Sequence, residues 1–397
     1  MKKMAITILT TSFPTSANPS SGIFIARLAR HLSSFASISV VTPAARASAP
    51  IKMEENINVY TFKYAPEYFL LLAHQSGGIP VALKNRKWLY FILPLFFISM
   101  AYCLYFKSRS SDLIHAHWSI NGCIAGIVGL ILNKPVVTTL HGDDVTRAKS
   151  KLLDRMILWF SLVMSTKVIS VNDSFRNWII DNYPRFKSKV TTIPNGIDNS
   201  FLDISHKRIY SPSNAGIKII TIGSLIPRKG IDVIIRAIGL LKNQQPVSLT
   251  IAGEGHAKKL LQTLVDENDL TEMVHFVGDV NPSEIPELLA NHDIFVLASH
   301  SEGRPSVILE AMATGIPIIA SNISGTNELI RDNETGKLFP DNDFHALAQC
   351  IEQIGPDYEL KKKLGTNATD FIVSNKLLWS DTARRHAELY EMLVSGS

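Results

Sequence analysis

Short apolar segments alternate with amphipathic helical patterns along almost the whole chain. This alternation is typical of β-α-β units, in which helices cover a parallel sheet on both faces. A chain of 397 residues exceeds the size at which a single hydrophobic core stops growing, so two domains are expected. The sequence therefore predicts an α/β protein with two parallel sheets.

The predicted strands form two series, separated by a weakly patterned segment that contains Ser, Asn and Pro. The first series is predicted at residues 5–9, 38–42, 59–62, 113–117, 136–140, 167–171 and 190–193. The second is predicted at residues 217–222, 249–252, 274–277, 294–298, 316–320 and 337–339. We therefore expect an N-terminal domain over 1–198, completed by a helix within 377–397, a linker over 199–216 and a C-terminal domain over 217–376.

Composition and charge exclude several classes of protein. Hydrophobic residues make up 46% and charged residues 19% of the chain, as in a well-packed globular protein. Three scattered cysteines indicate neither a disulfide framework nor a metal site and fit a reducing cytosol. The net charge of +5 suits anionic substrates or an anionic membrane surface. The chain has no long Lys/Arg block, so a nucleic-acid partner is not expected.

Two apolar segments raise the question of a membrane. The first, residues 4–9, is shorter than the hydrophobic part of a signal peptide and is predicted to be a strand. The second, residues 88–106, carries no charge, has basic residues on both sides and contains Pro94. Its length lies at the lower edge of the ~17–25 residues that span a bilayer, but spanning would split the first domain. We expect a mostly buried helix whose aromatic end touches the inner membrane surface, with plain core packing as the alternative.

Two glutamates flank the start of a predicted helix. Glu302 follows the strand at 294–298, and Glu310 lies about one turn inside the helix, for which Pro305 suits the first position. Ligands of open α/β sheets bind outside the carboxyl ends of the strands, and a helix N-terminus favours an anion. The two oxygens of Glu310 match a vicinal diol such as a ribose. The pattern indicates a nucleotide site, although two solvated glutamates are the simpler alternative.

This run also resembles a known family. Glu-x7-Glu followed by Ala-Met-Ala-x-Gly-x-Pro resembles the retaining GT-B glycosyltransferases of family 4, closest to those of bacterial surface-polysaccharide synthesis. The resemblance implies two Rossmann-like domains that face across a cleft, with the C-terminal helix crossing back to the N-terminal domain. It implies a hexosyltransferase that moves a sugar with retention from a UDP- or GDP-sugar to a hydroxyl of a lipid-linked or growing glycan. No metal or other cofactor is expected.

The resemblance assigns roles in the second domain. Lys229 matches the family's phosphate loop, but Ser224 stands where an Arg is usual, and Arg228 is a candidate substitute. Glu310 would hold the ribose, and Glu302 would contact the donor sugar. The remaining expected donor-site residues are Glu254, Val277, Arg304, Pro305, Ser306 and Val307.

In the first domain, His141 follows a predicted strand and matches the family's cleft histidine, which contacts the donor sugar. Asp144 matches the acid three residues later, and Gly22 lies in the first strand-to-helix loop, where the family often has two glycines. His117 and Trp118 would line the acceptor site or pack in the core. Adjacent Asp143 and Asp144 alone do not supply the ligands of Mg²⁺ or Mn²⁺.

Two other functions remain open from sequence. A GT-B sugar-nucleotide epimerase shares the fold and the nucleotide site, but it needs an acid/base pair at the sugar and no acceptor. A non-catalytic nucleotide-sugar-binding protein, whether a two-domain solute-binding protein or an inactive glycosyltransferase-like scaffold, would also use two Rossmann-like domains.

Overall fold

The computed structural model describes residues 3–19, 21–74, 78–210 and 216–395. Within these residues the chain forms two compact units. Unit 1 runs to Asn195 and resumes at Trp379, and unit 2 runs from Gly196 to Leu378. Each unit is built on one parallel sheet, which confirms the predicted α/β class.

The sheet of unit 1 has the order β3-β2-β1-β4-β5-β6-β7, and all of its paired strands are parallel. Its strands are β1 (Met4–Leu9), β2 (Ala36–Pro43), β3 (Ile57–Phe62), β4 (Leu113–His117), β5 (Val136–Leu140), β6 (Lys167–Ser170) and β7 (Val190–Thr192). The strand order reverses between β1 and β4, and such a switch point leaves a crevice at the strand ends where ligands bind.

Helices cover both faces of this sheet. They are α1 (Ile23–Leu32), α2 (Gly78–Asn85), α3 (Leu93–Ser108), α4 (Ser119–Leu132), α5 (Gly142–Ser150), α6 (Leu152–Met164) and α7 (Asp173–Asn182). Successive strand residues point to opposite faces. Ile8 accordingly packs in the core beside α1, whereas Leu9 packs in the core beneath α3 and α4. Burial on both faces explains why the strands are apolar throughout.

The sheet of unit 2 has the order β10-β9-β8-β11-β12-β13 and is also parallel. Its strands are β8 (Ile217–Ile222), β9 (Val247–Ala252), β10 (Val274–Gly278), β11 (Ile294–Leu297), β12 (Ile318–Ser321) and β13 (Lys337–Phe339). Its helices are α8 (Asn199–Ser205), α9 (Ile231–Leu241), α10 (Lys258–Glu267), α11 (Ile285–Ala290), α12 (Ser306–Ala313), α13 (Ser324–Asn327), α14 (Phe344–Ile354) and α15 (Tyr358–Ser374). The switch point lies between β8 and β11.

A final helix, α16 (Trp379–Ser395), belongs to unit 1. Trp379, Ala383 and Tyr390 are buried in the same core cluster as the apolar face of α1. The predicted return of the C-terminal helix to the first domain is therefore confirmed.

Two segments of unit 2 differ from the prediction. The expected linker over 199–216 contains α8, and Phe201 is buried in the core of unit 2; residues 211–215 lie outside the described part. Helix α15 was not predicted, because small and polar residues interrupt its apolar pattern. One of them, Gly365, is required by packing, since a Cβ there would lie 2.1 Å from the carbonyl oxygen of Gly315.

The expectation of a mostly buried helix over 88–106 is wrong. A 3₁₀ stretch, Lys87–Ile92, leads into α3, and Pro94 lies at the start of α3, where its missing N–H needs no partner. Within the described residues, Lys87–Ser108 is the one helical stretch long and apolar enough to cross a membrane by length and composition. Only 22% of its apolar window is buried. Phe96, Met100 and Leu104 form the single buried stripe.

Candidate functional site

Lys229 and Glu302 meet at the switch point of unit 2. Lys229 follows β8 and Glu302 follows β11, and these two strands are neighbours in the sheet. Lys229 Nζ donates a hydrogen bond to Glu302 Oε1 at 2.5 Å, and Ser299 Oγ donates to the same oxygen at 2.8 Å. The side chains of Lys229 and Glu302 are only 17% and 8% exposed. The strand ends therefore hold one cation and one carboxylate in a largely buried ion pair.

The loops that carry this pair are held together through their backbones. The 3₁₀ turn Pro227–Lys229 ends at Gly230, whose φ of 59° favours glycine. A Cβ at Gly230 would lie 2.0 Å from the carbonyl oxygen of Ala298, so this glycine allows the loop after β8 to lie against the end of β11. The Arg228 guanidinium donates to the carbonyl oxygen of Ser301 at 3.1 Å. Arg228 was expected to bind a diphosphate. In the structure it stabilises the loop that carries Glu302.

Two residues that support Glu302 were not predicted. Ser299 donates to its carboxylate, and the Ser299 carbonyl accepts from Ser321 Oγ at 2.5 Å. Gly325 in α13 packs on the Glu302 backbone, because a Cβ there would lie 2.4 Å from the Glu302 carbonyl oxygen. Ser299 could have been predicted as a site residue, because it lies directly after β11. The sequence around Gly325 gives no indication of its contact with Glu302.

Helix α12 begins beside this pair. Pro305 was expected at its first position but caps it instead, because its φ of −69° suits a helix whereas its ψ of 108° is extended. Ser306 and Val307 are the first two helical residues, whose N–H groups have no acceptor within a helix. Arg304 precedes the cap, and Glu310 lies buried one turn further in. The structure thus brings the expected phosphate-binding amides and ribose-binding carboxylate onto one helix.

Glu254 and Val277 lie at the ends of β9 and β10, on the other side of β8. Gly253 N donates to the carbonyl oxygen of Gly278 at 2.7 Å, and a Cβ at Gly253 would lie 2.1 Å from the carbonyl oxygen of Gly223. These contacts draw the loops after β8, β9 and β10 together. Glu254 Oε1 accepts from Lys258 Nζ at 2.5 Å, and Val277 is exposed.

In unit 1, aromatic side chains surround His141 near the switch point. His141 caps α5 directly after β5. Its Nε2 lies 3.0 Å from His117 Nδ1, and the two rings are stacked. The centroids of Phe24 and Trp118 lie 4.8 Å and 5.2 Å from that of His141. His117 is buried, which fits a residue that positions His141 better than one that lines an acceptor site.

Asp144 and Gly22 shape the backbone around this cluster. Asp144 Oδ1 accepts from the N–H and hydroxyl of Ser119, and Oδ2 accepts from the N–H of His141. These bonds join the starts of α4 and α5, although burial still raises the pKa of Asp144 to about 6. Gly22 has a φ of 63°, and a Cβ there would lie 2.3 Å from the carbonyl oxygen of Ser12.

Burial favours the neutral form of the core histidines around His141. It lowers the pKa of His141 to about 3, with a smaller contribution from His386, and it lowers the pKa of His117 well below its usual value. His115 Nδ1 lies 2.8 Å from the hydroxyl of Tyr390 in α16. A neutral imidazole offers one donor and one acceptor. His141 is therefore suited to orient a hydroxyl rather than to attract an anion. The contributions of His386 and Tyr390 were not predicted.

No cluster of three or more His, Cys, Asp or Glu side chains suited to a metal ion occurs among the described residues. The carboxylate of Asp144 is engaged with Ser119 and His141.

Two doubly wound units, each with polar residues at its switch point, define the GT-B class. The chain is similar over 98% of its length to all of Anabaena HepE in complex with UDP, with a TM-score of 0.74 and 20% identity. The Glycosyltransferase Family 4 model matches residues 21–201, and the model for Glycosyl transferases group 1 matches residues 205–371. The chain belongs to the GT-B glycosyltransferases of family 4 and is a glycosyltransferase that uses a sugar-nucleotide donor.

Two relatives come from bacterial glycan synthesis. The putative teichuronic acid biosynthesis glycosyltransferase TuaC of Bacillus subtilis is 28% identical over 375 residues, which cover 88% of each chain. The UDP-Gal:alpha-D-GlcNAc-diphosphoundecaprenol alpha-1,3-galactosyltransferase of Escherichia coli is 28% identical over 265 residues, or 63% of this chain and 68% of that protein.

Proposed function

We propose that the chain transfers a hexose, with retention, from a UDP- or GDP-sugar to a hydroxyl of a lipid-linked or growing surface glycan. The observation that carries this proposal is the Lys229–Glu302 ion pair at a switch point beside the start of α12. The name of the Escherichia coli relative, with its UDP-sugar donor and lipid-linked acceptor, supports the substrate class.

The leaving group of this reaction is a nucleoside diphosphate, so catalysis requires stabilisation of the charge that develops on the β-phosphate. Lys229 supplies a point charge, Arg228 a second cation, and the N-terminus of α12 a set of N–H groups with a favourable dipole. Lys229 would exchange part of its bond to Glu302 for the phosphate. Because these groups can balance the diphosphate charge, we propose that the reaction is independent of a metal ion.

In this proposal, the carboxylates of Glu310 and Glu302 bind the ribose and the transferred sugar of the donor. Glu310 would accept from the ribose diol, since an ionised carboxylate accepts two hydrogen bonds side by side. Glu302 would contact hydroxyls of the transferred sugar or the cationic sugar of the transition state. From the resemblance, we assign His141 to the orientation of that sugar. We place the reaction in the cytoplasm, at the inner face of the plasma membrane.

A thermal-shift screen tests the proposal first. UDP, GDP and their sugar conjugates are added to the native chain, and the cognate nucleotide raises the unfolding temperature by mass action. No shift with any of them contradicts the proposal. Epimerisation of the sugar of the sugar nucleotide, without an acceptor, would instead identify an epimerase. Transfer to an acceptor after EDTA treatment tests metal independence, which a strict Mn²⁺ requirement would refute.

Glu310→Ala is expected to weaken binding of that nucleotide about tenfold or more, because two charge-assisted hydrogen bonds to the ribose are lost. Isothermal titration calorimetry measures the change. Glu267→Ala, at the exposed end of α10, is the matched control and leaves affinity unchanged. An unchanged affinity in Glu310→Ala, with the fold intact, would remove its ribose role.

A further inference from the structure

Three neighbouring helices of unit 1 expose an apolar surface. Helix α4 packs against α3 on one side and α6 on the other, and we call their outer surface the α3–α4–α6 face. Its side chains include Ile98 and Tyr102 on α3, Leu130 and Ile131 on α4, and Leu153 and Met156 on α6. All six are 60% or more exposed. Helices that cover a sheet in water normally present polar residues outward. An exposed apolar surface of this kind therefore indicates an interaction site.

The charged residues on and around this face are mostly basic. Helices α3, α4 and α6 contain three charged residues, Lys107, Asp154 and Arg155. The one acid, Asp154, lies 2.6 Å from Arg147 in an ion pair. Further basic residues lie close to the helix ends: Lys87 begins the 3₁₀ stretch before α3, Arg109 follows α3, Lys134 lies two residues after α4 and Lys151 directly precedes α6. Arg185 lies further along the chain, in a 3₁₀ turn after α7, and contacts the Trp159 ring of α6. Basic residues therefore border an apolar centre.

An apolar groove lies on this face beside α4 and α6. Its volume is about 560 Å³, and it is open to the surface. Its walls include Cys123, Met156, Trp159 and Phe160, and the Arg185 guanidinium lies 5.2 Å from the Trp159 ring. A groove lined by carbon, with a cation at its edge, suits a hydrocarbon chain whose headgroup is anionic.

The packing of α3 indicates how it would meet a membrane. Phe96, Met100 and Leu104 are fully buried in the core that also contains Leu9 and Ile114 of the sheet. Crossing a bilayer would strip these residues from the sheet, whereas lying in the interface buries only the outer side of α3.

We propose that the α3–α4–α6 face seats unit 1 on an anionic bilayer and that the groove receives a hydrocarbon chain. A second copy of the chain is the competing occupant, but a two-fold contact would set identical basic borders against each other. An anionic bilayer can bury the apolar centre and pair its headgroups with the basic border at the same time. This inference rests on the proposed function in one respect: a lipid-linked acceptor is the reason for the enzyme to bind a membrane.

Vesicle co-sedimentation tests the face. The native chain is expected to bind phosphatidylcholine vesicles that contain phosphatidylglycerol, more weakly at high salt. The variant Ile98→Glu/Leu130→Glu/Leu153→Glu should lose about tenfold or more of this binding. Leu260→Glu, in α10 of unit 2 and 70% exposed like Leu153, should bind as the native chain does. Lys87→Glu/Arg109→Glu leaves the apolar residues intact and should weaken binding to the anionic vesicles alone.

Two results with the triple variant would overturn the inference. The first is a triple variant that folds, by circular dichroism, and sediments with vesicles like the native chain. The second is a native dimer in light scattering without vesicles that the triple variant abolishes, which would assign the face to a second copy. Transfer to a short-chain, water-soluble acceptor separates the two proposals. Vesicle binding without transfer refutes the proposed function alone, and transfer without vesicle binding refutes the membrane face alone.

Discussion

We propose that Glu302 competes with the diphosphate of the donor for Lys229. The 2.5 Å contact between their side chains lies where we propose that the diphosphate binds, so the phosphate must draw the ammonium away from a carboxylate that Ser299 also holds. In this proposal, the released carboxylate of Glu302 would offer an oxygen to the transferred sugar. Its location after a strand was predictable from sequence. Its bond to Lys229 was not, because the two residues lie 73 positions apart and meet only through the strand order.

Glu302→Gln is expected to separate nucleotide binding from catalysis. Loss of the carboxylate leaves Lys229 free for phosphate, so the nucleoside diphosphate should bind as tightly or more tightly, while kcat falls about 10²-fold. Calorimetry and steady-state transfer rates measure the two effects. Glu334→Gln, which breaks an exposed ion pair with Arg331, serves as the control. Weaker nucleotide binding in Glu302→Gln would place Glu302 on the nucleotide itself.

At the scale of elements, close backbone contacts set where the loops after the strands lie. Alternating strands and helices were predictable because apolar periodicity is local, and the boundaries of β1 and α12 fall close to prediction. The short helix α13 was not predicted, since its place depends on Gly325 touching the backbone of Glu302. Helix α15 was missed for a similar reason, because Gly365 serves packing against a distant residue rather than a helical pattern.

Gly325→Ala should reveal this dependence. The added Cβ would lie 2.4 Å from the Glu302 carbonyl oxygen, so α13 or the Glu302 loop must shift, at a cost of about 1–3 kcal/mol in the free energy of unfolding. The transfer rate should fall as well. Gly239→Ala, inside α9, meets only Leu270 at 3.8 Å and should stabilise the chain by about 0.5–1 kcal/mol. Chemical denaturation measures both, and equal stability of the two variants would contradict the packing argument.

At the scale of the molecule, the core of unit 1 contains four buried histidines: two in β4, one that caps α5 and one in α16. Burial holds the pKa of His141 at about 3 and that of His386 at about 4, and it lowers the pKa of His115 and His117 well below the usual value. His117 and His141 were expected from the sequence as site residues. The contact of this cluster with α16 was not, because His115 and Tyr390 are 275 positions apart.

Stability should therefore fall as the pH drops below about 6.5, where unfolded histidines take up protons that the native state excludes. Asp144 acts oppositely: its pKa is raised to about 6, so its native form gains protons first and opposes part of the loss between about pH 6 and 4. Thermal unfolding between pH 7 and 5 measures the slope. His386→Gln should reduce it, and exposed His256→Gln should not; equal slopes in all three proteins would contradict the assignment.

Helix α16 also has a consequence for biosynthesis. The ribosome makes residues 379–395 only after all of unit 2, whose 183 residues (196 to 378) take on the order of ten seconds or more at bacterial translation rates. Throughout that interval, the surface of α1 that Trp379 and Tyr390 later cover has no partner from α16. Unit 1 thus begins to fold first and completes its core last, and a nascent chain stalled before Trp379 should be a preferred client of chaperones.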